Sequence, residues 1–256
     1  PYFSLLSSKT ISLLEILKLN GVKIVNFGYP KSHKLSDVKR NIKEFMNAYE
    51  VNLLEVESLR ERLNIIREKV KELDQLTVEG RVSSWDNHLF QVSCSDFWGN
   101  PNKFEEELEK KLSEARSKKP SKKILKLAYL GVPPIMNDLY SYIEERGAKV
   151  VFNEVQREFA FPRHAKAKNI FEQYLNYTYP YGIEFRIKNL EKDLADRDVQ
   201  GIIHYTQKFC HRALDNIVLK EKLPYPLLNI EADRESVLDE RTKLRLDAFI
   251  DMLGDM

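Results

Sequence analysis

Cysteine is scarce: Cys94 and Cys210 are the only two in 256 residues. A pair so few and so far apart excludes a disulfide-stapled framework and points to a reducing compartment, the cytoplasm. Long apolar runs are missing too. None approaches the roughly 20 residues that a membrane-crossing helix needs, so no membrane partner is expected. The first residues, Pro1-Tyr2-Phe3-Ser4-Leu5-Leu6, carry no basic leader ahead of their apolar side chains and do not read as a secretory signal. An initiator Met is absent as well, and residues upstream of Pro1, or a segment from another chain, are expected. Charge of one sign is lacking: 41 Lys+Arg against 39 Asp+Glu leave a net +2, which argues against a nucleic-acid-binding surface. Glycine is sparse, at 9 residues, and no Gly-rich phosphate loop or G-x-G-x-x-G occurs. Paired C-x-x-C, H-E-x-x-H and G-x-S-x-G motifs are also missing, which disfavours an ordinary dehydrogenase, kinase, zinc site or α/β-hydrolase.

What remains is the composition of a globular, helix-rich protein, 43% hydrophobic and 31% charged. Ile11–Leu17 reads as a helix ending near Gly21, and Val22–Phe27 as a strand. From Ser36 to about Leu76 the spacing predicts two nearly continuous helices. Val38, Ile42, Met46 and Tyr49 lie on one stripe, and Leu59, Leu63, Ile66, Val70 and Leu73 on another. Such stripes serve core or subunit packing, with a coiled-coil seam as the alternative. The aromatic segment Trp85 to Asn100 leads into a charged helix over Lys103–Arg116. The basic, proline-containing run 117–123 reads as a linker. The expected division is therefore residues 1–116, the linker 117–123 and residues 124–256.

Beyond the linker, strands and helices alternate. Strands are expected at Ile124–Leu130, Val150–Phe152, Gly201–Tyr205 and Pro226–Ile230. Helices are expected over Ile135–Arg146, Asn169–Asn176, Glu184–Leu194, Arg212–Lys222 and Thr242–Leu253. Alternation of this kind implies parallel pairing and a doubly wound α/β domain. The first half shows the same grammar in incomplete form: one strand, Val22–Phe27, cannot satisfy its backbone groups alone.

Open parallel sheets bind ligands beyond the carboxyl ends of their strands. That rule selects Pro133 and Pro134 after the first strand, Asn153 and Glu154 after the second, Gln207 and His211 after the third, and Glu231 and Asp233 after the fourth. Cys210 lies past the third strand beside Lys208, His211 and Arg212, where a thiolate would be stabilised. A small buried filler is the other reading of its position. Cys94 reads as structural, and His204 as a buried mid-strand residue. His211 fits either a group supporting a site from behind or a helix N-terminal residue, and the Glu231/Asp233 pair fits proton transfer or helix capping.

Three phrases occur together in order: Gly201-Ile202-Ile203-His204-Tyr205-Thr206-Gln207-Lys208-Phe209-Cys210-His211; Leu223-Pro224-Tyr225-Pro226 with Ile230-Glu231-Ala232-Asp233; and Arg241-Thr242-Lys243-Leu244-Arg245-Leu246-Asp247-Ala248-Phe249. They resemble the C-terminal part of the 2-hydroxyacyl-CoA dehydratase and benzoyl-CoA reductase family, typified by the 2-hydroxyglutaryl-CoA dehydratase D-component. The resemblance is strongest over Lys123 to Leu253 and weaker over Trp85–Leu108 and Leu14–Pro30. It implies two flavodoxin-like domains with a helical insertion, the first incomplete here. It also implies an iron–sulfur cluster of the 4Fe–4S type between them. Carried over, the family's last cluster cysteine falls on Cys210. An earlier one belongs where this chain has Ser7-Ser8-Lys9-Thr10, so the remaining ligands are expected outside this sequence or the cluster is lost.

The chemistry implied is low-potential single-electron reduction of an acyl-CoA thioester, which expels the 2-hydroxyl and acidifies the β-proton, as a lyase or reductase. The implied partners are a homologous subunit, in a homo- or heterodimer, and an ATP-dependent activator. A non-catalytic scaffold or electron-transfer partner subunit, and a cluster-free binder of acyl-CoA or another small ligand, remain the alternatives.

Overall fold

The strand and helix alternation expected after Ile124 is present in the computed structural model, which describes residues 8–25, 27–30, 32–121 and 124–256. Ser7, Asn26 and the linker lysines Lys122 and Lys123 fall outside the described residues, as do Pro1–Leu6. The chain runs α1 (Ser8–Leu19), α2 (Leu35–Ala48), α3 (Leu53–Val78), α4 (Ser84–Val92), α5 (Pro101–Ser117), β1 (Leu125–Leu130), α6 (Leu139–Glu144), β2 (Ala148–Asn153) and α7 (Glu154–Phe159). It continues through α8 (Ile170–Leu175), α9 (Ile183–Ala195), β3 (Gly201–Gln207), α10 (Asp215–Lys222), β4 (Leu227–Ala232) and α11 (Glu240–Gly254). The fold is α/β. Its four strands are all parallel, in the order β2-β1-β3-β4, with the doubly wound, flavodoxin-like arrangement.

Helices cover both faces of the sheet, so β1, β2 and β3 are largely buried on both sides, while the edge strand β4 is mostly half-buried. On one face Leu127, Tyr129, Ile203, Tyr205 and Ile230 pack against Leu139 and Ile143 of α6 and Leu246, Phe249 and Leu253 of α11. On the other, Ala128, Leu130, Phe152 and Ile202 meet Ile187, Leu190 and Leu194 of α9 and Leu219 of α10. Register against β1 slips between Leu127↔Val150 and Ala128↔Phe152, leaving Val151 as the extra residue of a bulge. The bulge switches the alternation, so Val150 joins the α6 and α11 face whereas Val151 and Phe152 join the α9 face.

Among the described residues strand β2 has no neighbour on its outer side, and side chains take up its backbone there. The Val150 N–H donates to Ser84 Oγ at 3.0 Å, and the Val151 carbonyl accepts from Arg197 Nη1 at 2.6 Å. Helix α4 is started by Ser83, whose hydroxyl accepts the Asp86 N–H, and α5 by Asn100 with Pro101 in the first helical position.

By contact density the chain forms two units, residues 1–64 with 163–182 and residues 65–162 with 183–256. The first is helical. Val38, Ile42 and Met46 pack with Phe171, while Tyr49 on the same expected stripe is exposed. The strand expected at Val22–Phe27 is not formed among its described residues. Phe27 instead makes edge contacts with the rings of Tyr29, Phe45 and Tyr174, and this aromatic packing occupies the segment that a ladder would have used. The helix expected over Ile135–Arg146 is confined to α6, because the chain through Met136 and Asn137 is held by a bond from the Asn137 N–H to the Ser236 carbonyl.

Beneath α4 the side chain of His88 is buried. Its Nδ1 lies 2.9 Å from the Tyr140 hydroxyl, which itself donates to Asn153 Oδ1 at 2.8 Å, so Nδ1 carries the proton. Burial pushes His88 down to about 4. A depressed histidine contributes stability that is full above its unfolded value and is lost as pH falls toward the folded one. The wild type is therefore expected to lose about 2 kcal/mol of unfolding free energy through His88 between pH 7 and pH 5. His88→Phe should flatten that part of the profile in urea titrations, and identical profiles for the two proteins would contradict the assignment.

Candidate functional site

Strand order reverses between β1 and β3, so the crevice that parallel sheets use for ligands opens beyond their carboxyl ends. Strand β1 runs out into Gly131 at φ +110°, where an added Cβ would sit 2.2 Å from the Tyr205 carbonyl oxygen. Only glycine fits this close approach of the β1 loop to β3. The Gly131 N–H donates to Glu154 Oε2 at 3.1 Å. Glu154 opens α7 directly after β2 and is 2% exposed.

The partner of that buried carboxylate is Arg186 of α9, itself fully enclosed. Its Nε and Nη2 donate to the two Glu154 oxygens at 2.5 and 2.6 Å, a bidentate pair. Its Nη1 reaches Asp215 Oδ2 at 2.8 Å, and the same oxygen accepts from Arg212 Nη1 at 3.0 Å. Gly131, Glu154, Arg186, Asp215 and Arg212 thus join the ends of β1 and β2 to the turn after β3. His204, mid-strand and buried as expected, is lowered first by burial and then by the Arg186 charge, and its Nδ1 is 3.4 Å from Asn216 Oδ1.

Cys210 stands in that turn, half-buried, just ahead of the 3-10 turn His211–Leu214. Its N–H donates to the Gln207 carbonyl and its own carbonyl accepts the Ala213 N–H, both at 3.0 Å. Phe209 beside it is 95% exposed. Cys94 differs in kind: it is buried, its thiol donates to the Phe90 carbonyl at 3.3 Å, and burial pushes it up to about 12 despite the nearby Arg67 charge.

The other residues marked from sequence are spread along the same edge. Pro133 and Pro134 are half-buried in the loop after β1, while Gln207, His211 and Asp233 are exposed. Asn153 closes β2 and Glu154 begins α7, so neither occupies a loop, and Gln207 and Glu231 are exposed members of β3 and β4 rather than residues beyond them. Sequence reading passed over Arg186 and Asp215. Arg186 had a visible signal: with Ile183, Ile187, Leu190 and Leu194 it falls on the apolar stripe of α9, where a charge needs a buried partner.

A parallel sheet wound on both faces, with its crevice at the β1/β3 reversal, defines a flavodoxin-like α/β protein. Over residues 7–253 the chain matches the family described as 2-hydroxyglutaryl-CoA dehydratase, D-component, and it belongs to that family. No curated protein matches it. Membership implies a partner subunit in a dehydratase complex. Among the described residues no helix is long and apolar enough to cross a membrane.

The iron–sulfur cluster associated with this family needs about three or four thiolate ligands. The sequence holds two cysteines, and the Cys94 thiol is sealed among core residues. Among the described residues no three His, Cys, Asp or Glu side chains come together as a metal site. The donor set of these residues does not fit a cluster held by this chain alone.

The contrast between the two thiols is directly measurable. One equivalent of thiol, lost in Cys210→Ser, should react with an aromatic disulfide reagent in the native protein, and the Cys94 equivalent only in denaturant. Reaction of both native thiols, or of neither, would contradict the burial described.

Proposed function

We propose that this chain is a partner subunit of a 2-hydroxyacyl-CoA dehydratase-type assembly. It frames an acyl-CoA cleft at the carboxyl edge of its sheet and works beside a homologous subunit. The iron–sulfur chemistry and the single-electron transfer lie outside its own ligand set. The observation that carries this reading is the donor set: one half-buried thiol at the edge, with the second locked to the Phe90 carbonyl. In this reading Pro133, Pro134, Gln207 and His211 line the cleft, and the buried Glu154–Arg186 pair holds its floor rigid. An ATP-dependent activator would serve the assembly through the homologous subunit, in the cytoplasm, where free thiols persist.

A second reading is favoured by the place of Cys210, after β3 at the strand-order reversal and two residues before Arg212. There it supplies one ligand to a cluster whose other ligands come from beyond these 256 residues. Anaerobic reconstitution of the chain with iron and sulfide separates the two. The partner-subunit reading predicts colourless protein with iron far below about four per chain after desalting. Stoichiometric iron with broad visible absorbance that Cys210→Ser abolishes would overturn it in favour of the second.

A further inference from the structure

A cavity of about 200 Å³ lies among α3, α4, α7 and the residues closing α9, and it shares no residue with the Glu154–Arg186–Cys210 edge. It has room for several waters or for one small polyatomic ion. Asp74 organises its wall. That carboxylate is 6% exposed and accepts from Asn87 Nδ2 at 3.1 Å and Gln91 Nε2 at 2.9 Å, and it pairs with Arg197. Burial works to raise Asp74, but the Arg197 charge and hydrogen bonds, with Arg157 behind them, outweigh it and keep the carboxylate ionised.

Gln91 Oε1 and Arg157 Nε are polar atoms of this lining that make no hydrogen bond. Gln91 is 1% exposed, and its Nε2 is spent on Asp74 while its Oε1 has no hydrogen-bond partner. Arg157 spends Nη1 on Asp193 at 2.6 Å, but its Nε makes no hydrogen bond, lying 3.7 Å from the nearest Asp74 oxygen. A buried acceptor and a buried cationic donor each left without a partner are costly, and native proteins fill such places with water or a ligand. The lining as a whole carries four cationic side chains against three carboxylates. One of the four, Arg67, is fixed between the rings of Phe97 and Phe161, at 5.3 and 5.2 Å from their centroids.

We propose that this cavity binds a small anion that also carries a hydroxyl, either hydrogen phosphate or a short hydroxycarboxylate. Its anionic oxygen answers Arg157 Nε within the cationic lining, and its hydroxyl donates to Gln91 Oε1. A plain carboxylate satisfies the first demand and leaves the second unmet. The site shares no residue with the sheet edge, so its occupancy does not depend on what binds there.

The test is isothermal titration of the full chain with sodium phosphate and with sodium lactate, against sodium acetate and sodium chloride at matched ionic strength. Phosphate, lactate or both should saturate one site, about fivefold or more tighter than acetate. Saturation by one alone identifies which anion the cavity takes. Lys71→Glu reverses a charge at the exposed rim of the cavity without touching the core, and should weaken binding by about threefold or more. Gln91→Leu should weaken it as well, and if that variant fails to fold, Lys71→Glu decides. Binding no tighter than chloride or acetate would leave the cavity to water and overturn the proposal. So would saturation unaffected by the variants that fold.

Discussion

The guanidinium of Arg186 lies at the centre of the molecule's carboxyl edge, and it cannot be left unpaired there. A fully enclosed arginine is tolerable only when its donors are used, and here two go to Glu154 and one to Asp215. Each partner is fixed in turn by something the fold already requires. Glu154 follows β2 without a loop and takes the N–H of Gly131, the residue whose lack of a side chain lets β1 turn against Tyr205. Asp215 starts α10 and holds Arg212, two residues beyond Cys210. The loops that frame the crevice therefore inherit their positions from one buried ion pair, and the half-buried thiol stands where that pair allows.

A second buried carboxylate, Asp74, organises the region beside the free edge of β2. It gathers side chains from α4 and from the segment before β3, and the same Arg197 that pairs with it also satisfies the Val151 carbonyl. Edge protection and the polar cavity are thus built from one set of groups. The two hubs differ in completeness. Around Glu154 the carboxylate and guanidinium bonds close on one another, whereas around Asp74 the amide oxygens of Asn87 and Gln91 and the Nε of Arg157 make no hydrogen bond. A finished network suits a scaffold that must not move, and an unfinished one suits a place that a ligand completes.

The sheet was legible from the residues because buried parallel strands are written as short apolar runs, as in Leu125–Leu130 and Gly201–Gln207, and the half-buried edge strand Leu227–Ala232 still opens on one. Val22–Phe27 looks similar, yet Phe27 finds its partners in other aromatic rings, a tertiary choice that local pattern does not encode. The bulge at Val151 was equally hidden, since it depends on pairing and not on composition. The carboxyl edge was found by topology alone, and Cys210 with it, because the rule for parallel sheets needs only the strand ends. What topology does not supply is which charges there are buried. Glu154 and Glu231 look alike as carboxylates near strand ends, but one is enclosed with Arg186 and the other is exposed on an edge strand. Arg186, placed on the apolar stripe of α9, is the residue from which this difference was readable.

The account rests on Arg186 and Glu154 acting as a coupled pair, and a double-mutant cycle measures that coupling most directly. Unfolding free energies of the wild type, Glu154→Gln, Arg186→Met and the double variant give the interaction. Each single change should cost about 3–5 kcal/mol, and the double change much less than their sum, because a lone buried charge is worse than none. Additive costs, or single losses near zero, would show that the carboxyl edge is held by something else.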